Sequence, residues 1–450
     1  MRRFNRFLVR RAWRTALATA SLAGLCAAAP VHAQLGLPRS TPLPNLPREL
    51  SRLPISSTTA STTASTTDVA QSLVPLQSLR LTTVRQLLRD HADVLEADPA
   101  GEPVRRRELL LISPAQATLD AAVALGFVVL RDAVLAELEL RQVVLRVPPG
   151  LATAEALARL RSLDSQLEAD FNHVYTRSGE ITAAEPRATD RTVTASRRVG
   201  LVDSGLDRRH AALRDADVRS WGCDNVPVAS PHGSAVASLL VGRDAAFAGV
   251  APGSVLYAAD IYCGRPAGGA AEDIAAAFAW MARERVGVVN VSLVGPSNRL
   301  LERAVQAMNR KGHLIVAAVG NDGPAAPPLF PASYAGVVGV TGVTVERRAL
   351  PEAAQGPQVM FAAPGAELAV ARSGGGYVVA RGTSFAAPLV AGLLAEALHE
   401  PDSAAAVAAL ARLSDSAQDL GAPGRDPVFG IGLVGERSRV APESVHAQAR

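Results

Sequence analysis

From residue 197 onward, short apolar runs alternate with longer helical stretches, and that alternation leaves few folds open. The runs are "RVGLVD" (198–203), "SVLYAADIY" (254–262), "VGVVNVSL" (286–293), "HLIVAAV" (313–319) and "GVVGVTGV" (336–343). Between them, "SAVASLLVG" (234–242), "DIAAAFAWMARE" (273–284) and "NRLLERAVQAMNRKG" (298–312) space their apolar residues as helices do. A strand that is apolar on both faces belongs in a sheet covered on both faces. The expected architecture is therefore α/β, a mostly parallel sheet with helices on both sides. Such sheets bind ligands beyond the carboxyl ends of their strands, so the residues just after each strand carry the functional question.

Four of them are polar. Asp203 follows "VGLV" in "DSGLD", and His232 opens a helix in "HGSAVAS". Asn321 follows "LIVAAVG" in "GNDGP", and Ser384 sits in "RGTSFAAPLV" (381–390). Singly, each has an ordinary structural reading: a turn aspartate, a capping histidine, an Asn-Asp-Gly turn, a helix-start serine. Together they form a set. A hydroxyl nucleophile needs a base, the base needs a carboxylate to orient it, and the oxyanion formed on attack needs a fixed donor.

With these motifs the segment from about 197 to 434 resembles the subtilisin-like serine peptidases. "VDSGLD" resembles the family's aspartate motif, "HGS" its histidine motif with Ser234 where Thr is commoner, and "GTSFAAP" its serine motif. The order Asp, His, Ser along the chain is also that of subtilisin. "GVAPGS" (249–254), "FAAPG" (361–365) and "DLGAPGRDPVFGIGLV" (419–434) resemble further landmarks. The resemblance implies catalytic Asp203, His232 and Ser384, with Asn321 as oxyanion donor. It implies a substrate-pairing strand at Ser292, Leu293, Val294 and Gly295, with Val319 and Gly320 also binding substrate. Val294 stands where the family often has glycine, which predicts a narrower cleft on that side. The uncharged residues Leu293, Val294, Val319 and Leu329 favour an apolar or aromatic side chain before the scissile bond. The loop "GRDAAFAG" (242–249) looks shorter than the family's calcium loop. Asp244 alone offers too few oxygens for calcium, so neither a metal nor any other cofactor is expected.

The N-terminal half has a different texture. "ELLLIS" (108–113), "FVVLRDAVLAELE", "RQVVLRVP" (141–148) and "QLEADFNHVY" (166–175) read as strands, the second running on into a turn or short helix. "PAQATLDAAVALG" (114–126) and "TAEALARLRSLD" (153–164) read as helices. The order β-α-β-β-α-β is the split, ferredoxin-like arrangement. The family resemblance implies an α+β prosegment of that order over residues 76–175, which assists folding and inhibits the enzyme in the same chain. "EADFNHVY" resembles the tail of such a prosegment, giving cleavage near Tyr175 and a peptidase domain at 176–450. Residues 70–105, mostly helical in pattern, have no assigned place.

Ahead of this lies a reading of export. Six arginines fall in the first 14 residues, an apolar run follows from Ala16 to Ala29, and "VHAQ" offers cleavage after Ala33. That run is too short for a stable membrane span. The expected signal peptide is 1–33, and 34–75 is a Pro/Ser/Thr-rich linker. The destination is secreted or periplasmic. Of 46 basic residues, those six leave 40 against 42 acidic ones, so the body lacks the basic excess of a nucleic-acid binder. Two cysteines, Cys223 and Cys263, remain after the leader, and export favours their pairing. The resemblance puts the strands "DVRSWG" and "SVLYAADIY" side by side, with these cysteines at adjacent ends. The expected partners are polypeptide substrates and the chain's own prosegment, and the expected state is a monomer. A non-catalytic assembly factor would normally have lost one of the four site residues. An esterase would favour a G-x-S-x-G elbow, and a zinc peptidase would need H-E-x-x-H.

Overall fold

The computed structural model describes residues 80–177, 179–183, 197–226 and 228–445. The expected leader and linker lie outside the described residues. The first described element is helix α1, residues 80–90. An antiparallel sheet follows, built from β1 (Leu95–Ala97), β2 (Pro103–Ile112), β3 (Val128–Leu135), β4 (Leu140–Arg146) and β5 (Glu168–His173). Helices α2 (Gln116–Ala124) and α3 (Thr153–Leu163) cross one face. From β2 onward the split β-α-β-β-α-β order of the sequence reading is present. β2 begins five residues before the "ELLLIS" reading because the charged run "VRRR" hides its first half. There the strand bulges, with Arg107 at φ 59° and a register shift between Val104 and Leu109.

Two short strands, β6 (Thr176–Arg177) and β7 (Glu180–Ala183), lead toward the second sheet. That sheet contains β8 (Arg198–Asp203), β9 (Val218–Trp221), β10 (Val255–Asp260), β11 (Val288–Val291), β13 (Leu314–Ala318), β14 (Val338–Val343) and β15 (Val359–Pro364). Its order is β15-β14-β13-β11-β8-β10-β9, and every pairing is parallel. β12 (Leu293–Val294), β16 (Leu368–Ala371) and β17 (Tyr377–Arg381) lie outside it.

Strand side chains alternate between faces, and here the alternation separates two cores. Leu201, Val288 and Val316 join helices α4 (Pro231–Val241) and α7 (Thr383–Ala395) on one face. Val202, Val289 and Ile315 join α5 (Ala271–Arg283) and α6 (Arg299–Arg310) on the other. That second core also takes in Leu110, Ile112 and Val144 of the antiparallel sheet. The N-terminal region is thus welded to the α5 and α6 side of the larger sheet.

Candidate active site

After Arg198, β8 is apolar until its last residue, where the chain turns and Asp203 is left fully buried at a carboxyl end. Asp203 Oδ1 accepts from the backbone N–H and hydroxyl of Ser204, at 2.6 and 2.9 Å. His232 Nδ1 stands 2.9 Å from both carboxylate oxygens. Pro231, suited to a first helical position, starts α4 and delivers His232 there. An imidazole whose Nδ1–H is held by a carboxylate presents Nε2 as its basic nitrogen. The glycine beside it is required: a Cβ on Gly233 would lie 2.1 Å from the Ser204 carbonyl oxygen.

Ser384 is the second residue of α7, a helix buried nearly all round. Phe385, next along, places its ring 5.5 Å from that of His232. The serine carbonyl has an unusual partner. Pro388 has no N–H to donate back to residue 384. The hydroxyl of Ser292 donates to that carbonyl instead, at 2.9 Å. Asn290 Nδ2 in turn donates to Ser292 Oγ at 2.9 Å. Ser384 Oγ sits 3.4 Å from the Ser292 carbonyl oxygen. Ser292, read from sequence as part of the substrate strand, therefore also supports the helix that carries Ser384.

Asn321 reaches the same helix start. Its Oδ1 accepts from the Thr383 backbone N–H at 3.0 Å, while Thr383 Oγ1 accepts from the Gly320 N–H at 3.2 Å. This fixes the amide's orientation. The buried Nδ2 of Asn321 finds no acceptor among the described residues. A Cβ on Gly382 would come within 3.0 Å of that nitrogen and 2.8 Å of Gly179 Cα. Gly382, at φ 131°, therefore keeps the space open. A buried donor without an acceptor, beside a helix-start serine, is an arrangement that an oxyanion hole would need.

The cleft already holds a strand of the chain itself. β6 pairs antiparallel with β12, Thr176 opposite Val294 and Arg177 opposite Leu293. One residue earlier, Tyr175 is fully buried. Its N–H donates to Gly269 O at 2.9 Å, its carbonyl accepts from Tyr262 Oη at 2.9 Å, and its own hydroxyl donates to Pro296 O at 2.7 Å. The ring lies so close to Gly295 that a Cβ there would be 2.5 Å from it. Past the cleft, β7 pairs with β17, which leads directly to Gly382. Val294, Val319 and Leu329 are all buried, and Leu329 Cδ1 would be 2.5 Å from a Cβ on Gly320.

The disulfide is present: Cys223 and Cys263 are bonded with Cα atoms 5.2 Å apart, at the carboxyl ends of the parallel neighbours β9 and β10. Their sulfurs converge with Asp260, the one candidate group of metal donors among the described residues. The S–S bond leaves that group a single carboxylate ligand. In the loop read as too short for calcium, Asp244 accepts from Ala246 N–H at 2.7 Å and from the Tyr377 hydroxyl.

Comparison with known proteins bears on the same residues. The model of the subtilase family matches residues 196–432, over half the chain. Subtilisin BL of Lederbergia lenta is 31% identical over 55% of this chain and 93% of its own length. Minor extracellular protease Epr of Bacillus subtilis is 29% identical, over 48% of this chain but 34% of Epr. The match to the thermostable alkaline protease of Halalkalibacterium halodurans, 31% identical, takes in 53% of this chain and 65% of that one. The chain thus spans a third to two thirds of these two relatives. The crystal structure of fervidolysin from Fervidobacterium pennivorans, described as a keratinolytic enzyme related to subtilisin, superimposes with a TM-score of 0.62. It does so at 19% identity, over 76% of this chain and 62% of fervidolysin, a likeness of fold. The chain belongs to the subtilase family.

Proposed function

We propose that this protein is an exported serine endopeptidase, made as a precursor whose N-terminal α+β region is an inhibitory prosegment. One observation carries the reading: a segment of the chain crosses the cleft as a substrate would, beside a buried Asp203–His232 pair and an unfilled Asn321 donor. In the reaction, Ser384 Oγ attacks the peptide carbonyl as His232 Nε2 takes its proton. Asp203 stabilises the imidazolium, and Asn321 Nδ2 donates to the oxyanion. Collapse expels the amine, which receives the proton from His232. Water then releases the acyl group by the same route. The extracellular description of Epr, and the absence of any membrane-crossing helix among the described residues, support export.

The register of β6 and β12 favours a maturation site a few residues downstream of Tyr175. The Tyr175 carbonyl is tied to Tyr262 opposite Gly295, whereas Ser384 stands beside Ser292. β6 runs antiparallel to β12 and has reached Leu293 at Arg177, one residue short of Ser292, so the favoured scissile bond is the one before Gly179. Tyr175 then anchors the strand three residues upstream. Wild-type precursor is expected to shorten itself to a species starting at Gly179, to hydrolyse casein and to react with a fluorophosphonate. Ser384→Ala is expected to keep its N-terminal region and do none of these. Full activity in Ser384→Ala would sink the assignment. Asn321→Ala is expected to lose about 10²–10³-fold in turnover with KM little changed, which steady-state kinetics would read.

A further inference from the structure

One element of the N-terminal region serves neither that region's own core nor the catalytic reading. Helix α1 lies ahead of the split β-α-β-β-α-β unit, and none of its residues belongs to the core under α2 and α3. From α1 through the turn at His91, only Arg80, Val84, Leu87, Leu88 and His91 are shielded from solvent. Their spacing is that of a single helix face. Leu87 and Leu88 pack against Leu95, Val174 and Ala270, where Val174, the residue before Tyr175, bridges to Ala270 of the subtilase region. Arg80 Nε lies 3.0 Å from Asp322 Oδ2, and its other two nitrogens donate to Glu102 at 2.8 and 2.7 Å.

Two cavities flank the β6 strand, and α1 walls both of them together with Thr176 and Arg177. In one, of about 370 Å³, Arg80 and Val84 stand with Val294, Asn321 and Gly382. In the other, of about 520 Å³, Leu87 and His91 stand with Ser204, Ser230 and Tyr262. The inward face of α1 therefore spans the occupied cleft, from beside Asn321 to beside Ser230. We propose that α1 is an autoinhibitory strap, a second clasp that keeps β6 in the cleft after the chain is cut, over and above the hold of β6 itself. This rests on the reading of the N-terminal region as an inhibitory prosegment. α1 and β6 both precede the proposed cut, so they leave as parts of one fragment. When two linked segments each bind, release of one leaves it near its site at high effective concentration while the other stays bound. A β6 strand that slips out is thus returned to the cleft until α1 lets go. The strap sets the interval between self-cleavage and a vacant cleft.

The test follows the full-length chain as it refolds from denaturant, reading chain length on gels and hydrolysis of a fluorogenic peptide in parallel. Wild type is expected to shorten first and to hydrolyse only after a lag. Leu87→Asp, on the inward face, is expected to cut that lag about ten-fold, as loss of its apolar packing would give. Arg80→Gln is expected to shorten it in the same direction. Leu81→Asp, on the outward face where Leu81 is 47% exposed, is expected to leave it unchanged. The final rate per fluorophosphonate-labelled site is expected to be equal in all four, because α1 is absent from the processed enzyme. Activity that rises in step with chain shortening in wild type would overturn the strap. A lag equal in wild type, Leu87→Asp and Arg80→Gln would overturn it too and leave β6 as the whole inhibitor, and Arg80→Gln decides this by itself should Leu87→Asp fail to fold. A lag cut as much by Leu81→Asp as by Leu87→Asp would also overturn it. Wild type that neither shortens nor hydrolyses would instead overturn the peptidase reading beneath it.

Discussion

The two larger sheets of this molecule both bury side chains on two faces, but they reach that state differently. The seven-stranded parallel sheet is covered by its own helices, α4 and α7 on one side and α5 and α6 on the other. The antiparallel sheet covers only one face itself. Leu109, Leu111, Val143 and Leu145 pack under α2 and α3. Leu110, Ile112 and Val144, one residue out of phase, pack into the core of the other region. Apolar alternation on two faces in a sheet with helices on one side marks a structure completed by something else. The N-terminal region relies on the subtilase region to cover the second face of its sheet.

Polar contacts at the junction reinforce this. Glu272, almost fully buried at the start of α5, accepts from Arg131 Nε and Nη2 at 2.8 and 2.7 Å and from Asn172 Nδ2 at 3.0 Å, and pairs with Arg105. Asn298 caps α6 by accepting from the N–H groups of Leu300 and Leu301 at 3.1 and 3.3 Å. Its Nδ2 donates to Phe171 O at 2.9 Å and to His173 Nδ1 at 3.1 Å. The cap settles the amide's orientation, so His173 Nδ1 is an acceptor and its Nε2–H faces Asp98 Oδ2 at 3.2 Å.

The contrast between the sheets can be broken most forcefully at Leu110. An aspartate there puts an unpaired charge between the two regions, expected to cost about 3–5 kcal/mol. Val128→Asp, on the 54% exposed start of β3, is expected to stay within about 0.5 kcal/mol. Thermal unfolding of the two variants in the Ser384→Ala precursor compares them directly, and equal losses would mean that the second face is not an interface.

A smaller effect is expected at the free edge of the parallel sheet, which is held covalently where the antiparallel sheet is not. Replacing both Cys223 and Cys263 with serine opens a loop spanning 40 positions, which loop-closure entropy values at up to roughly 4 kcal/mol. The mature enzyme's melting temperature is expected to fall by about 10 °C. Calorimetry with and without reductant checks it, since the variant should no longer respond to reductant.

The smallest effect is a slope. Burial pushes the Asp273 carboxyl up to about 6, against the pull of Arg105, with Arg105 Nη2 at 2.6 Å. The native state therefore holds a proton between about pH 4 and 6 that the unfolded chain releases, so this group's contribution to stability falls as pH rises through that window. Asp273→Asn removes the titration. The precursor's stability difference from wild type is expected to change by about 1–2 kcal/mol between pH 4 and 6.5. A parallel pair of curves would refute it.

Much of this was legible in the chain. "RVGLVD" coincides with β8, and the antiparallel core kept its expected order, because periodicity is written locally. Asp203, His232, Asn321 and Ser384 could be picked out because each stands at a strand or helix end with its own short motif. β15, β16 and β17 were not, since "VMFAAP" runs into a proline and "LAVA" and "YVVAR" are only four and five residues long. Other features had no local signal at all. The Ser292 hydroxyl replaces a donor that Pro388 lacks, the Tyr175 ring packs against Gly295, and Arg80 answers the charge of Asp322. The sequence by itself determined the elements and the identities of the reacting groups, since propensity, alternation and motif act over a few residues. Which hydroxyl meets which carbonyl, which ring packs on which glycine and which arginine pairs with which carboxylate depend on surfaces joined from distant parts of the chain. Only the packed tertiary structure decided those, because buried polar groups must find partners wherever the fold brings them.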